Sequence, residues 1–294
     1  MLFTHPVSEV IRQRFSCRDY LETAIEEKKR AVLADFLASD GAGPFGTRTR
    51  FELIAATEND RKALRGLGTY GFIKGATGFV VGAVEDGPQN LEDFGYAMER
   101  AILFATDLGL GTCWLGGSFT KSSFARKISA GASESVPAVS SIGYIADGLR
   151  NTVLRQRLGA DGRLAWENLF FEGGFGAPIS PEAAGALATP LEMVRLGPSA
   201  SNKQPWRIVK AGEAWHFYMQ RTPGYRDQLL ARLLSIADLQ RVDMGIAMSH
   251  FELAADEFGL KGAWAVRDPG IAVPDRLTEY IVTWTGDSLP ESVV

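Results

Sequence analysis

The chain has only two cysteines and three histidines in 294 residues. With Cys17 and Cys113 alone, a disulfide framework is excluded and a reducing compartment is expected. His5, His216 and His250 stand far apart and lack metal-ligand spacing. No metal is therefore expected, and each histidine reads as a surface or capping residue. No apolar run reaches the length of a membrane span, so no membrane partner is expected. The start, MLFTHPVSEVIRQRFSCRDY, lacks a basic stretch followed by an apolar core. No signal peptide is read there, and cytoplasmic is the default location. Neither sign of charge dominates. There are 31 Lys and Arg against 35 Asp and Glu, which gives no reason to expect a nucleic-acid partner. What is left, 46% apolar and 10% aromatic, suits a globular protein of one large domain or two ordinary ones.

What is present in abundance is self-similarity. DFGYAMERAILFATDLGLGTCW (93–114) overlays DMGIAMSHFELAADEFGLKGAW (243–264) at a constant offset of 150 residues, without gaps. Nine of the 22 positions are identical, among them Asp93/Asp243, Gly95/Gly245, Gly109/Gly259 and Trp114/Trp264. A repeat this long is a duplicated domain rather than a solenoid unit. The expected division is a first half at 1–150, a connecting and wrapping segment at 151–177, and a second half at 178–294.

Hydrophobic periodicity and breakers supply the elements. Helices are predicted at 7–14, 26–38, 58–66, 91–108 and 120–129. Strands are predicted at 50–57, 78–84 and 139–146, with GLGTCWLGG (109–117) as strand and glycine turn. In the second half, 178–211 reads as helix, helix, polar turn and strand. HFYMQ (216–220) and EYIVTWTG (279–286) are strands. Two helices are expected between Arg226 and Leu260. Strands scattered between long helices make each half α+β.

Three stretches could carry chemistry. In RFSCRDY (14–20), Arg14, Ser16 and Arg18 alternate, so an extended segment points all three one way, and two guanidinium forks with a hydroxyl grip a phosphate. Taken alone, the heptapeptide is also a plain charged helix end. In PSASNKQPW (198–206), small hydroxyl residues and two amides sit in a turn before a strand. The matching stretch, PFGTRTRF (44–51), keeps the fold without the polar set. In the third stretch Gly116 and Gly117 would let the backbone approach a flat ligand, while the matching Val266 and Arg267 would not. Cys113, in an apolar strand, reads as an inert core thiol.

These three stretches, in this order around a long apolar helix, resemble the nitroreductase family of FMN-dependent oxidoreductases. A tail similar to RLAWENLFF (163–171) occurs in a subgroup whose two dimer halves are fused in one chain. The resemblance implies a nitroreductase-like α+β sandwich, here internally duplicated as a fused pseudo-dimer, with FMN at the interface. Arg14 and Ser16 match positions that hold the FMN phosphate and ribityl chain. Arg18 matches a cation beside flavin N1 and O2, and Gly116 and Gly117 match the turn whose amide faces N5. Arg18 and Gly116 are thus the implied catalytic positions. Ser199, Ala200, Asn202 and Gln204 match the segment that the partner lays against the flavin. Arg163 is similar to an arginine that returns to the phosphate, and Arg155 and Arg157 would assist.

The implied activity is NAD(P)H-driven, ping-pong hydride transfer to a nitroaromatic or quinone acceptor. The alternatives are a flavin-storage protein without turnover and a relic that binds no flavin. A second site would need an Arg-x-Ser-x-Arg near 168–174, where the chain reads NLFFEGG, together with polar residues at 44–49 and glycines at 266–267. All three are missing. One flavin per chain and a monomer are therefore expected, with Phe45 filling the lost site.

Overall fold

The computed structural model describes residues 3–39, 43–58, 60, 62–146, 149–225 and 237–286. Among these, the helices are α1 (Val7–Gln13), α2 (Glu27–Ser39), α3 (Asn90–Asp107), α4 (Lys121–Lys127), α5 (Leu149–Arg157), α6 (Pro181–Ala184), α7 (Ala188–Leu196) and α8 (Leu239–Glu257). The strands are β1 (Thr49–Ala55), β2 (Gly78–Glu85), β3 (Gly111–Leu115), β4 (Glu134–Ser135) and β5 (Val139–Gly143) in one sheet. The other sheet holds β6 (Phe170–Glu172), β7 (Trp206–Ala211), β8 (Ala214–Gln220), β9 (Gly262–Ala265) and β10 (Thr278–Gly286). No described helix is long and apolar enough to cross a membrane.

The first sheet runs β1-β2-β5-β3 and is antiparallel, with β4 beside β2. The second runs β6-β7-β8-β10-β9 and is antiparallel except where β6 lies parallel to β7. Leaving out β4 and β6, both sheets place their strands in the same order: first, second, fourth, third. β2 is almost wholly apolar because both its faces are covered. Val80 and Val84 join the core with α3, while Phe79, Val81 and Ala83 join a second core with Phe124 of α4.

The long helices α3 and α8 pack between the sheets. Phe94, Met98 and Ile102 meet the first sheet; Met248 and Phe251 meet Trp206, Ile208 and Phe217 of the second. Each helix also reaches across, so that Val242 and Ile246 belong to the core against the first sheet and Tyr96 to the core against the second sheet. The repeated glycines explain how the helices come so close. A Cβ on Gly95 would lie 2.1 Å from the Val242 carbonyl oxygen, and one on Gly245 would lie 2.0 Å from that of Glu92. Both helices also stop alike. Gly109 and Gly259 take φ of +76° and +72°, and the following leucine N–H bonds back to Ala105 and Ala255.

Some expectations fail for physical reasons. Of the helix predicted at 58–66, the described residues form only a 3-10 turn, Lys62–Leu64, because ENDRKALRG is mostly polar and packs only Leu64 against a core. The segment 151–177 is more than a connector: it contains most of α5, and β6 forms the edge of the second sheet. His216 and His250 are buried, not superficial; each finds a partner, Thr283 Oγ1 for His216 and Glu99 for His250. The first of the two helices expected after Arg226 lies outside the described residues.

Candidate functional site

The helix α1 ends at Gln13, and the backbone becomes extended at Arg14 (φ −62°, ψ 130°). Ser16 then pairs in parallel with Thr112 of β3, and Cys17 N–H donates to the Thr112 carbonyl at 2.8 Å. Alternation does the rest. Cys17 faces the core, while Arg14, Ser16 and Arg18 line one cavity of about 850 Å³. Burial pushes the Cys17 thiol up to about 11 and also raises Cys113, so both stay neutral. Asn151 of α5 clamps the segment. Its Oδ1 accepts from the backbone of Arg18 at 2.8 Å and of Asp19 at 3.0 Å, and its Nδ2 donates to the Asp19 carbonyl.

The glycine turn after β3 supplies the next wall, through Gly116 and Gly117. A Cβ at Gly116 would lie 2.4 Å from Leu239 Cδ1, at the start of α8, so any larger residue here must displace the Leu239 side chain. Leu239, Val242, Asp243 and Ile246 of α8 extend that wall.

The opposite wall is Pro198–Asn202. Its backbone is left-handed at Ser201, Asn202 and Gln204 (φ +51°, +53° and +49°), an uncommon run without glycine. Hydrogen bonds hold it there. Asp243 accepts from Ala200 N–H at 2.9 Å, and Ser199 Oγ accepts from Gln204 N–H at 2.8 Å. The matching loop in the first half is held by the matching acid, since Asp93 accepts from Phe45 and Thr47 N–H at 2.9 and 2.7 Å. Burial raises both carboxyls, Asp243 the more.

Residues 158–163 connect the two walls. Asn202 Nδ2 donates to the carbonyls of Gly159 and Gly162 at 2.7 and 2.8 Å. Arg163 donates to the Leu196 carbonyl at the end of α7 and to the Ala160 carbonyl. Burial, with Arg14 next and Asp161 opposing, lowers Arg163 to about 10. Arg155 stacks over Phe15 and pairs with Asp161 at 2.5 Å.

Of the residues singled out from sequence, Arg14, Ser16, Arg18, Gly116, Gly117, Arg155, Arg163, Ser199, Ala200 and Asn202 share this cavity. Gln204 and Arg157 do not line it. Gln204 is buried behind the wall, where its Oε1 accepts from Leu164 N–H at 2.8 Å and its Nε2 donates to the Asn202 carbonyl at 3.1 Å. Arg157 points to solvent. Sequence reading missed Asn151, Leu239 and the aromatic mouth formed by Tyr70 and Phe72, which are 68% and 50% exposed. Two aromatics in the glycine turn TYGF, outside any strand, were the available signal. On the other side, Val266 is exposed, the matching Phe45 packs against the second core, and Phe170 and Phe171 of 168–174 are buried in the second sheet.

The cavity is therefore a cationic concavity walled by both ends of the sequence, of a size that suits a cofactor-sized ligand. Arg14 is the most telling member. Its guanidinium is buried, yet its Nε and Nη1 have no hydrogen-bond partner. Burial lowers its pKa, and nearby Glu99 raises it. A buried cation of this kind calls for an anion.

No curated protein matches the chain. Its fold is similar to that of a solved structure from Thermotoga maritima, titled a "putative nitroreductase", with a TM-score of 0.58 and 19% identity, covering 96% of this chain and 93% of that one. An "oxidoreductase containing FMN" is 19% identical with a TM-score of 0.48 over 59% of this chain and 95% of its own. A "putative nitroreductase in complex with FMN" from Desulfovibrio desulfuricans is 23% identical with a TM-score of 0.39, over 49% of this chain and 88% of that one. Residues 6–255 match the family described as "Putative TM nitroreductase", and with most of its length inside that match the chain belongs to this nitroreductase family.

Proposed function

We propose that the chain is an FMN-dependent NAD(P)H:acceptor oxidoreductase that reduces nitroaromatics or quinones by ping-pong hydride transfer. One flavin is held between two halves that descend from a duplicated domain, 1–150 and 178–294, with 151–177 strapped across them. The single observation that carries this reading is the cavity itself: Arg14, Ser16, Arg18, Gly116 and Gly117 on one wall, Ser199, Ala200 and Asn202 on the other, and Arg163 between. The residues present fit the cofactor. A buried guanidinium whose Nε and Nη1 make no hydrogen bond suits a phosphate, and a turn with no side chain at Gly116 and Gly117 suits a flat ring. The shared strand order, the paired helix glycines and the paired loop-holding acids support the duplication.

Bound flavin supplies two-electron chemistry, and the protein positions and tunes it. Arg14, Arg163 and Ser16 would hold the phosphate and ribityl end, Arg18 would supply positive charge that favours the reduced state electrostatically, and the Gly116 turn would offer backbone to the ring. Tyr70 and Phe72 offer an apolar, aromatic mouth to a flat donor or acceptor. Gln204 acts from behind by fixing Asn202 and Leu164.

The test is titration of the apoprotein with FMN, followed by NAD(P)H. Saturation is expected at one flavin per chain, because the matching second positions are taken by Phe45, Phe170 and Phe171, which pack against the second sheet's clusters. Two flavins per chain would refute the asymmetry. The chain is also expected to be an active monomer by light scattering, since both cavity walls are on one polypeptide. Flavin bound but never reduced by NAD(P)H would leave a storage protein instead.

Asn202→Ala removes three bonds to the 159–163 strap, so FMN affinity is expected to fall by about 1–3 kcal/mol. The fold should survive, as Thr47 occupies the matching loop position. Flavin titration beside circular dichroism checks both halves of this expectation. Unchanged affinity would mean that the second half does not build the site.

A further inference from the structure

Behind Arg14 lies a buried pair that the cavity does not itself contain. Glu99 of α3 and His250 of α8 are both fully buried, and His250 Nε2 stands 2.9 Å from Glu99 Oε1. The other ring nitrogen, Nδ1, is 2.8 Å from the Met193 carbonyl. A carbonyl only accepts, so Nδ1 carries a proton. A carboxylate oxygen also only accepts, so the Nε2 contact needs a second proton, placed on the ring or on the acid. Without it two lone pairs would face each other in a dry interior, which is strongly unfavourable. With it, the pair has no net charge wherever the proton sits.

That neutrality matters to Arg14. Glu99 Oε1 is its nearest carboxylate oxygen, but at 3.8 Å it lies beyond hydrogen-bond reach. The carboxylate is held in place by His250 on Oε1 and by Trp114 Nε1, which donates to Oε2 at 2.6 Å. The other ionisable groups acting on Arg14 do not compensate it. Cys113 is kept a neutral thiol by burial, and Arg18 and Arg155 carry the same sign. The arrangement is also one-sided. At the matching positions, 150 residues away, Glu99 faces Ser249 and His250 faces Arg100 in the overlay, so the pair exists only beside the half that carries Arg14.

We propose that His250 is a positioning residue for the cavity: by sharing a proton with Glu99 it cancels that carboxylate and leaves the charge of Arg14 for an anionic group in the cavity. On the function proposed above, on which this part rests, that group is the flavin phosphate. An ionised Glu99 without its partner would instead turn to Arg14 and compete with the phosphate. The second half would then contribute to phosphate binding from α8, without touching the ligand.

The experiment compares FMN with riboflavin, which lacks the phosphate, by flavin fluorescence on the native protein, H250Q and H250Q/E99Q. H250Q cannot supply the shared proton and is expected to weaken FMN about tenfold while riboflavin changes less than about twofold. Adding E99Q removes the competing carboxylate and should return FMN to within about threefold of native. Riboflavin on the same variant controls for loss of fold. An unchanged FMN-to-riboflavin ratio in H250Q, or a double variant no better than H250Q, overturns the proposal and leaves flavin binding intact. A ligand-free readout stands beside it. In 15N-histidine-labelled native protein at neutral pH, with the signal assigned by its loss in H250Q, both His250 nitrogens are expected to be protonated or proton-sharing. An Nε2 that neither carries a proton nor accepts a hydrogen bond overturns the proposal. If neither flavin binds native protein, the flavin reading fails and this spectrum alone decides the proton-sharing claim.

Discussion

Replacing Gly245 with alanine is expected to lower the unfolding free energy by about 3 kcal/mol, and replacing it with leucine to prevent folding. The added Cβ would sit 2.0 Å from the Glu92 carbonyl oxygen and 2.6 Å from Tyr96 N, both backbone atoms of α3. A side chain could swing aside; a helix backbone cannot. Relief would require α3 and α8 to separate, which loosens both cores at once, because Val242, Ile246 and Tyr96 pack across the crossing. Gly174 is the control. Its Cβ meets nothing within 4 Å, so Gly174→Ala should change little. Urea unfolding followed by tryptophan fluorescence measures both variants. A Gly245→Ala protein as stable as native would mean the helices do not cross in backbone contact.

Arg14→Ala is expected to weaken FMN by about 1.5–3 kcal/mol while leaving the ligand-free protein at least as stable as native. These signs differ for one reason. Ligand-free, the guanidinium is buried with two nitrogens unbonded, so its removal relieves an unfavourable burial that is offset only by the cavity the truncation leaves. Bound, the same group makes a charge-assisted contact that nothing else at its position replaces. Arg48→Ala supplies the contrast. That side chain is 79% exposed, pairs with Glu85 at 3.6 Å, and lies in the loop that matches the Pro198–Asn202 wall in the repeat overlay. It should leave flavin affinity unchanged. Equal losses at Arg14 and Arg48 would mean the cavity has been assigned to the wrong half, and a large loss of ligand-free stability in Arg14→Ala would make that residue structural.

Long elements were legible because their signals are local and repeated. The helix at 91–108 and the stop at Gly109 follow from periodicity and from one left-handed glycine. The Arg14/Ser16/Arg18 alternation was legible as soon as an extended backbone was assumed. Other features depend on distant partners and leave no local mark. Gln204 has the composition of a ligand contact, but the Leu164 N–H 40 residues away turns it inward. Asn151 sits in an Arg-rich stretch with a weak apolar face, and its clamp on residues 17–19 exists only once α5 has packed there. His250 looked superficial because nothing near it in sequence announces Glu99, 151 residues earlier.

The placement of β6 bears on whether the two halves could ever live apart. Phe170–Glu172 precedes α6, α7 and the rest of the second sheet, yet it forms that sheet's edge beside β7. A gene split just after this strand would give a second fragment whose β7 presents bare amide and carbonyl groups to solvent and to neighbouring chains. Such an edge recruits strands indiscriminately, so the lone fragment should aggregate. The short strand therefore works as a clasp: it ties the chain before residue 173 to the second sheet.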